Sequence, residues 1–325
     1  MTFCSKEQVS VQIRRFGGPQ GPQGPKGDAG SVTAVNGIAP DGSGNVTLGA
    51  VHPRNLLHNS DFTSPVNQRG QTSYSGDGYA IDRWRLINAY SSMTVNDGYV
   101  TFSGSGGYCY PQQLVQADTS MLGKAYTAAV CLHDGTIHVF GNGVLSTLTP
   151  SANTLIGTCP DIGNGVQLGL YIRTDGLLMI QMRIPDGQSL SLRWAVLYEG
   201  GYTADTLPPY VPKGYAAELM ECQRYCYAIS IENAALSFHG YFHSTTEVRL
   251  TIPIGTRMRV NPTIVFGDIS QIRIYGDGTT AVPSEATRCV VSGSAVTVTL
   301  SGFDNGVMGA AVAKINTTFI ISADL

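Results

Sequence analysis

Along most of this chain, apolar and polar residues alternate in short runs separated by turn formers. In residues 55–201 the runs with strand character are 99–102, 128–132, 136–140, 167–172 and 177–184. Asp97, Asp134, Asn142, Asn164, Asp175 and Asp186 each stand directly before a glycine, the pair that best tolerates tight-turn geometry. Short strands at near-regular spacing predict an antiparallel β-sandwich or jelly roll. Residues 232–325 repeat the pattern, with runs at 237–243, 248–254, 257–266, 269–275, 288–300 and 315–322, and predict a second β-sandwich at the tip.

Between the two blocks, residues 202–231 read differently. Pro208, Pro209 and Pro212 interrupt any regular element and mark a joint. After it, Leu219, Cys222, Cys226 and Ile229 recur at spacings of three and four, which predicts one helix over 215–229. Two readings fit its apolar stripe: packing on its own domain, or lining the axis of an oligomer.

The N-terminal region has another period. Gly18, Gly21, Gly24, Gly27 and Gly30 recur every third residue, with Pro19, Pro22 and Pro25 after the first three. Only glycine fits at the axis of a collagen-like triple helix, so 18–30 predicts a short stalk of three parallel chains. Four triplets span only about 37 Å and need trimerising neighbours. Residues 31–54 hold two short alternating runs around Asn36-Gly37 and Asp41-Gly42, a hairpin too small to stand alone and suited to a trimeric shaft. Residues 1–17 remain as an attachment segment.

Composition narrows the function classes. The chain has 325 residues, 39 glycines and a net charge of -3, with only 13 % charged residues. A nucleic-acid partner calls for clustered positive charge, which this balance argues against. At 42 % hydrophobic residues, a sizeable core is available. No apolar run reaches the ~18 residues of a membrane span, and the first residues lack the apolar core of a secretory signal. The seven scattered cysteines predict free thiols in a reducing cytoplasm.

Four stretches together resemble bacteriophage tail-fibre and receptor-binding proteins: GPQGPKGDAG, AVNGIAPDGSGNVTL, NLLHNSDF with PVNQRG and YAIDRWR, and LPPYVPKGYAAELMECQRYCY. Cys226 departs from the family's pattern, which has an aromatic residue there. The resemblance implies a homotrimeric, all-β fibre with a carbohydrate-binding-like jelly roll. Its N-terminus would sit on baseplate or tail-tip proteins of the virion. Its C-terminus would face a glycan or protein of the host surface, without membrane insertion. A collagen-stalked cell or spore surface protein with a tumour-necrosis-factor-like head is the alternative in another class. It calls for a longer Gly-X-Y tract and a single head.

The chemistry of an enzyme is not legible. A glycan-depolymerising tailspike needs two carboxylates flanking the bond. Asp41, Asp77, Asp97, Asp134, Asp175, Asp186 and Asp277 all precede glycine and read as turn residues. No rung-like repeat, GxSxG elbow or HExxH motif is present. The expectation is a binding protein without cofactor. The resemblance adds one metal candidate, a structural calcium near Asn59 and Asp61.

For saccharide recognition, aromatic platforms beside amide, carboxylate and arginine groups are wanted. On a strand, His239, Tyr241 and His243 share one face and Phe238, Gly240 and Phe242 the other. That polar face reads as a solvated surface, a ligand-contacting surface, or a metal site on a trimer axis. Arg273 and Tyr275 share a strand face, with Asp277 beyond. In the first block the densest cluster is Asp82, Arg83 and Trp84. It reads either as a ligand site or as a core tryptophan beside an Asp82–Arg83 pair. The tip faces outward in a fibre and is the preferred site.

Overall fold

The computed structural model describes residues 52–229, 236–276, 279–303, 309–317 and 319–323. The expected attachment segment and collagen-like stalk, nearly all of the expected shaft, and Asp277 lie outside the described residues. What is described is an all-β protein with a single α-helix.

The first half contains strands β1 (Ser73–Ser75), β2 (Gly78–Tyr79), β3 (Arg85–Ile87), β4 (Ser91–Asn96), β5 (Tyr99–Gly104), β6 (Tyr110–Gln116), β7 (Ala125–Leu132), β8 (Ile137–Val144), β9 (Thr154–Leu155), β10 (Gln167–Ile172), β11 (Leu177–Arg183) and β12 (Ser189–Glu199). They form two six-stranded antiparallel sheets, ordered β1-β4-β5-β12-β7-β8 and β2-β3-β6-β11-β10-β9. Successive strands β5 and β6 lie in different sheets, and so do their partners β12 and β11. Between the sheets, Phe62, Trp84 and Phe102 pack with ring centroids 5.1 to 6.2 Å apart. Tyr126, Phe140, Leu168, Leu170, Ile180 and Leu197 are buried in the same core.

Five of the six turn pairs lie in turns or loops, but Asn142 does not. Gly141 and Asn142 have φ of 74° and 57° inside β8. The ladder to β7 shifts there, so Asn142 is the extra residue of a β-bulge. The longest strand, β12, was not foreseen. Its Ser189-Leu190-Ser191-Leu192 start alternates, but Ala195, Val196, Leu197 and Tyr198 are all buried, on both sides of the strand.

Both-sided burial has a cause. Ala129, Val196 and Tyr198 lie on the outer face of the first sheet, and the Pro-rich segment covers them. Tyr210 stacks on Trp194 at 5.0 Å, with Leu207 and Tyr202 beside it. The Pro-rich segment thus lies against the outer face of the first sheet.

The helix α1 covers Tyr215–Cys222 only. This corrects the expected 215–229 helix. Leu219 and Cys222 lie on α1, but Cys226 and Ile229 belong to strand β13 (Cys226–Ile229), which pairs with the last strand of the chain. A second core thus begins with β13, whose Tyr227 and Ile229 pack against it. Its other strands are β14 (Leu236–Phe242), β15 (Glu247–Pro253), β16 (Thr263–Phe266), β17 (Ile272–Gly276), β18 (Thr279–Ala281), β19 (Glu285–Ser292), β20 (Ala295–Ser301), β21 (Gly309–Ile315) and β22 (Phe319–Ser322). A seven-stranded sheet, β18-β17-β21-β14-β15-β20-β19, packs on a three-stranded one, β13-β22-β16. Two long runs are divided relative to expectation, and others are shortened. The 288–300 run is a hairpin turning at Gly293, whose φ is 61°. The 315–322 run crosses from β21 to β22, and 257–266 is strand only from Thr263.

Candidate functional site

The outer face of the seven-stranded sheet carries most of the expected tip residues. Phe238 and Phe242 turn inward, while His239, Tyr241 and His243 are exposed. Gly240 is required on the inner side, since a Cβ there would meet the Arg249 carbonyl oxygen at 2.1 Å. Strand β21 lies between β14 and β17. Its register sets Val312 opposite both His239 and Tyr275, and Lys314 opposite both Ser237 and Arg273. His239 and Tyr275 are therefore two strands apart, about 10 Å between backbones. Val312 alone lies between that pair, and Ala310 lies opposite Tyr241, so small side chains separate the exposed rings and form the floor of a shallow trough.

Cations line the same surface. Lys314 Nζ lies 5.3 Å from the Tyr275 ring centroid. Arg249 Nη1 donates to the Tyr241 hydroxyl at 3.4 Å. Arg273 donates to the Ser270 carbonyl, which fixes its guanidinium near the strand end. Tyr241 is 50 % exposed and Tyr275 39 %. These are the aromatic and cationic groups that a saccharide surface uses. Lys314 and Arg249 were not foreseen, because cross-strand neighbours are set by register alone.

The Asp82, Arg83 and Trp84 cluster is a different matter. Asp82 and Trp84 are fully buried. Asp82 accepts from the Gln68 backbone N–H at 2.7 Å and lies 3.6 Å from Arg69, while Trp84 Nε1 donates to the Asn59 carbonyl at 2.8 Å. Both serve the core, so neither offers a surface to a ligand. Arg83 does not pair with Asp82. Its guanidinium turns away, donates to the Leu114 carbonyl at 2.6 Å and lies 3.6 Å over the Tyr225 ring.

The calcium expectation also meets a structural use of its residues. Asn59 Oδ1 accepts from the Val66 N–H, and Nδ2 donates to the Val66 and Asp82 carbonyls, all at 2.7 to 2.8 Å. Asp61 Oδ1 accepts from Thr63. The Asn59 amide is committed to holding the chain entry, so its oxygen is already in use.

The stretches NLLHNSDF and ELMECQRYC, some 160 residues apart, meet at one polar knot. Asn59 N–H donates to Glu218 Oε2 at 2.7 Å, and His58 Nδ1 lies 2.7 Å from Glu221 Oε2. Glu218 and Glu221 are three apart on α1 and share its inward side. Lys213 Nζ stands between them, 2.7 Å from Glu221 Oε2 and 3.9 Å from Glu218 Oε1, and also donates to the Leu57 carbonyl at 3.1 Å. Burial lowers the affinity of His58 for a proton, which favours a neutral ring donating to Glu221. Burial would raise Glu221, but the His58 and Lys213 bonds outweigh it and hold its carboxyl at about 2. Burial pushes Glu218 up. His58, Glu218 and Glu221 have the mutual spacing of metal ligands. The Lys213 ammonium already supplies the cation there, so the group reads as a structural knot.

Comparison with known proteins finds no matching family model, curated protein or solved structure.

Proposed function

We propose that this chain is the receptor-binding protein of a bacteriophage tail fibre, a homotrimer that attaches the virion to a glycan on the host surface. The observation that carries the reading is the outward trough of the tip sheet, where His239, Tyr241, Arg273 and Tyr275 present rings and a cation not needed for any core. The Gly-X-Y run at 18–30, the motif order, and two β-sandwich halves following the stalk support it. On this reading the first half is a jelly roll, the nested β5–β12 and β6–β11 pairing being the feature that favours it. Each trough would bind weakly. Three copies on one trimer raise the effective affinity by ~10² or more where the geometry permits simultaneous contact.

The test is adsorption to host cells by the full chain carrying Tyr241→Ala and Tyr275→Ala. Both side chains lie on the exposed face, so the fold and its melting temperature are expected to persist while adsorption falls at least tenfold. Unchanged adsorption by a folded variant removes the trough from receptor binding.

A further inference from the structure

We propose that a second cleft, between the Arg83 turn and the Arg224-Tyr225 segment, binds an anionic group, a carboxylate or phosphate, carried on a body of sugar size. The cleft has a volume of about 470 Å³ and is lined by four arginines, Arg54, Arg83, Arg224 and Arg259. That size falls within the range of small-molecule sites, roughly 300 to 1,000 Å³. The whole chain has only 20 Lys and Arg residues and a net charge of -3, so four guanidinium groups on one cleft are a local excess.

The four arginines outnumber the two acidic residues that line the cleft. Of the acidic residues lining it, Asp118 accepts from the Ser120 N–H at 2.8 Å, and Glu199 pairs with Lys124 at 2.9 Å. Arg54 lies 3.9 Å from Glu221, whose other partners are Lys213 and His58. No carboxylate among the described residues pairs with Arg83, Arg224 or Arg259.

Arg83 is the decisive residue. It is 2 % exposed, yet its Nε has no hydrogen-bond partner among the described residues. Its backbone is in the left-handed region, with φ of 70°, at the tip of a turn closed by the Trp84 N–H to Ile81 carbonyl bond. A non-glycine residue there is strained. The Tyr225 ring and the Leu114 carbonyl compensate the charge only in part. A leucine or methionine would cover Tyr225 without burying a charge. Arg259 shows the same feature, with a buried Nε that has no hydrogen-bond partner among the described residues. Unpaired guanidinium groups facing one cleft are suited to an oxyanion, which accepts two parallel N–H bonds from a guanidinium. Leu56, Val115 and Met121 supply apolar lining for the rest of the ligand.

The anion follows from the arginines alone. The saccharide body rests on the receptor-binding reading. Titration calorimetry of the full chain would use glucuronate, glucose 6-phosphate and glucose as probes. Saturable binding of either anion, weakening with salt, with none for glucose, is expected; the stronger of the two identifies the oxyanion. The double variant Arg224→Gln, Arg259→Gln should weaken it about tenfold or more at unchanged melting temperature, from the loss of charge-assisted bonds. Arg83→Lys keeps a charge and loses the fork, and should weaken it as well. Absence of saturable anion binding, or wild-type binding by the double variant, overturns the proposal. If the double variant loses anion binding but adsorbs to cells normally, the cleft is upheld as a site separate from the receptor contact. Failure of the Tyr241 and Tyr275 variant to affect adsorption would count against the tip reading alone.

Discussion

Replacing Lys213 by methionine tests the account of the polar knot most directly. The substitution keeps the stem and removes the ammonium that stands 2.7 Å from Glu221 and 3.9 Å from Glu218. Two carboxylates then face each other, one with a side chain 7 % exposed and the other 30 %. The Leu57 carbonyl also loses its lysine donor. Breaking a fully buried pair costs about 3–5 kcal/mol. Here Glu221 is partly solvated and keeps His58, and Glu218 keeps the Asn59 N–H, so about 2–3 kcal/mol is expected at pH 7. For a unit of this size that lowers the melting temperature by roughly 4–12 °C.

The pH dependence supplies the sharper check. Glu221 is depressed from 4.5 to about 2 in the folded chain, so its contribution is present above the unfolded value and disappears as pH falls through about 2. Lys213→Met relieves part of that depression. Glu218 is raised by burial, with Lys213 opposing; without the lysine it rises further and costs more stability at neutral pH. Both effects make the penalty largest at pH 7; the Glu218 part shrinks as pH falls through its raised value, above 4.5, and the Glu221 part as pH falls from 4.5 to about 2. His58 faces Glu221, Lys213 and Arg83, and the lysine charge helps hold its pKa down; its removal lets His58 protonate more readily, again offsetting the loss in acid. Urea denaturation of wild type and variant at pH 7, 5 and 3 measures this. A penalty below about 0.5 kcal/mol, or one independent of pH, refutes the knot as described.

Two further outcomes are expected. Asn55 donates to Ser60 Oγ and the Ala195 carbonyl and accepts from the Leu57 and Leu197 N–H groups, so Asn55→Ala strands buried partners and should cost about 3 kcal/mol by denaturant midpoint. Its effect at pH 5 and pH 7 should be equal, in contrast to Lys213→Met. Light scattering of the full chain should give three times the 34.5 kDa chain mass, and a monomer or dimer mass would exclude the fibre reading.

Much of the architecture was legible because a half-buried strand writes itself as alternation. Strand β10 coincides with its expected run, and the inward Phe238 and Phe242 against outward His239 and Tyr241 follow from the pleat alone. The Asp-Gly pairs at 97, 134 and 175 likewise mark hairpin turns, since local sterics decide them. Strands β6 and β12 escaped because their neighbours bury both faces, which erases alternation. The Asn142-Gly143 pair misled because a bulge and a turn ask for the same left-handed backbone.

What only the tertiary structure decided is where distant residues meet. Residues 226–229 continue a helical spacing on paper, yet the ladder to Phe319–Ser322 offers backbone bonds and burial that a marginal short helix cannot match. The Pro-rich segment reads as a joint between domains, and nothing local places its Tyr210 on the Trp194 ring. Arg83 looks like the partner of its neighbour Asp82, but a turn with positive φ sends their side chains to different places. The four arginines of the cleft come from separate parts of the chain, and no local pattern joins them. Periodicity reports which face of an element is buried; it carries no information on which other element does the burying.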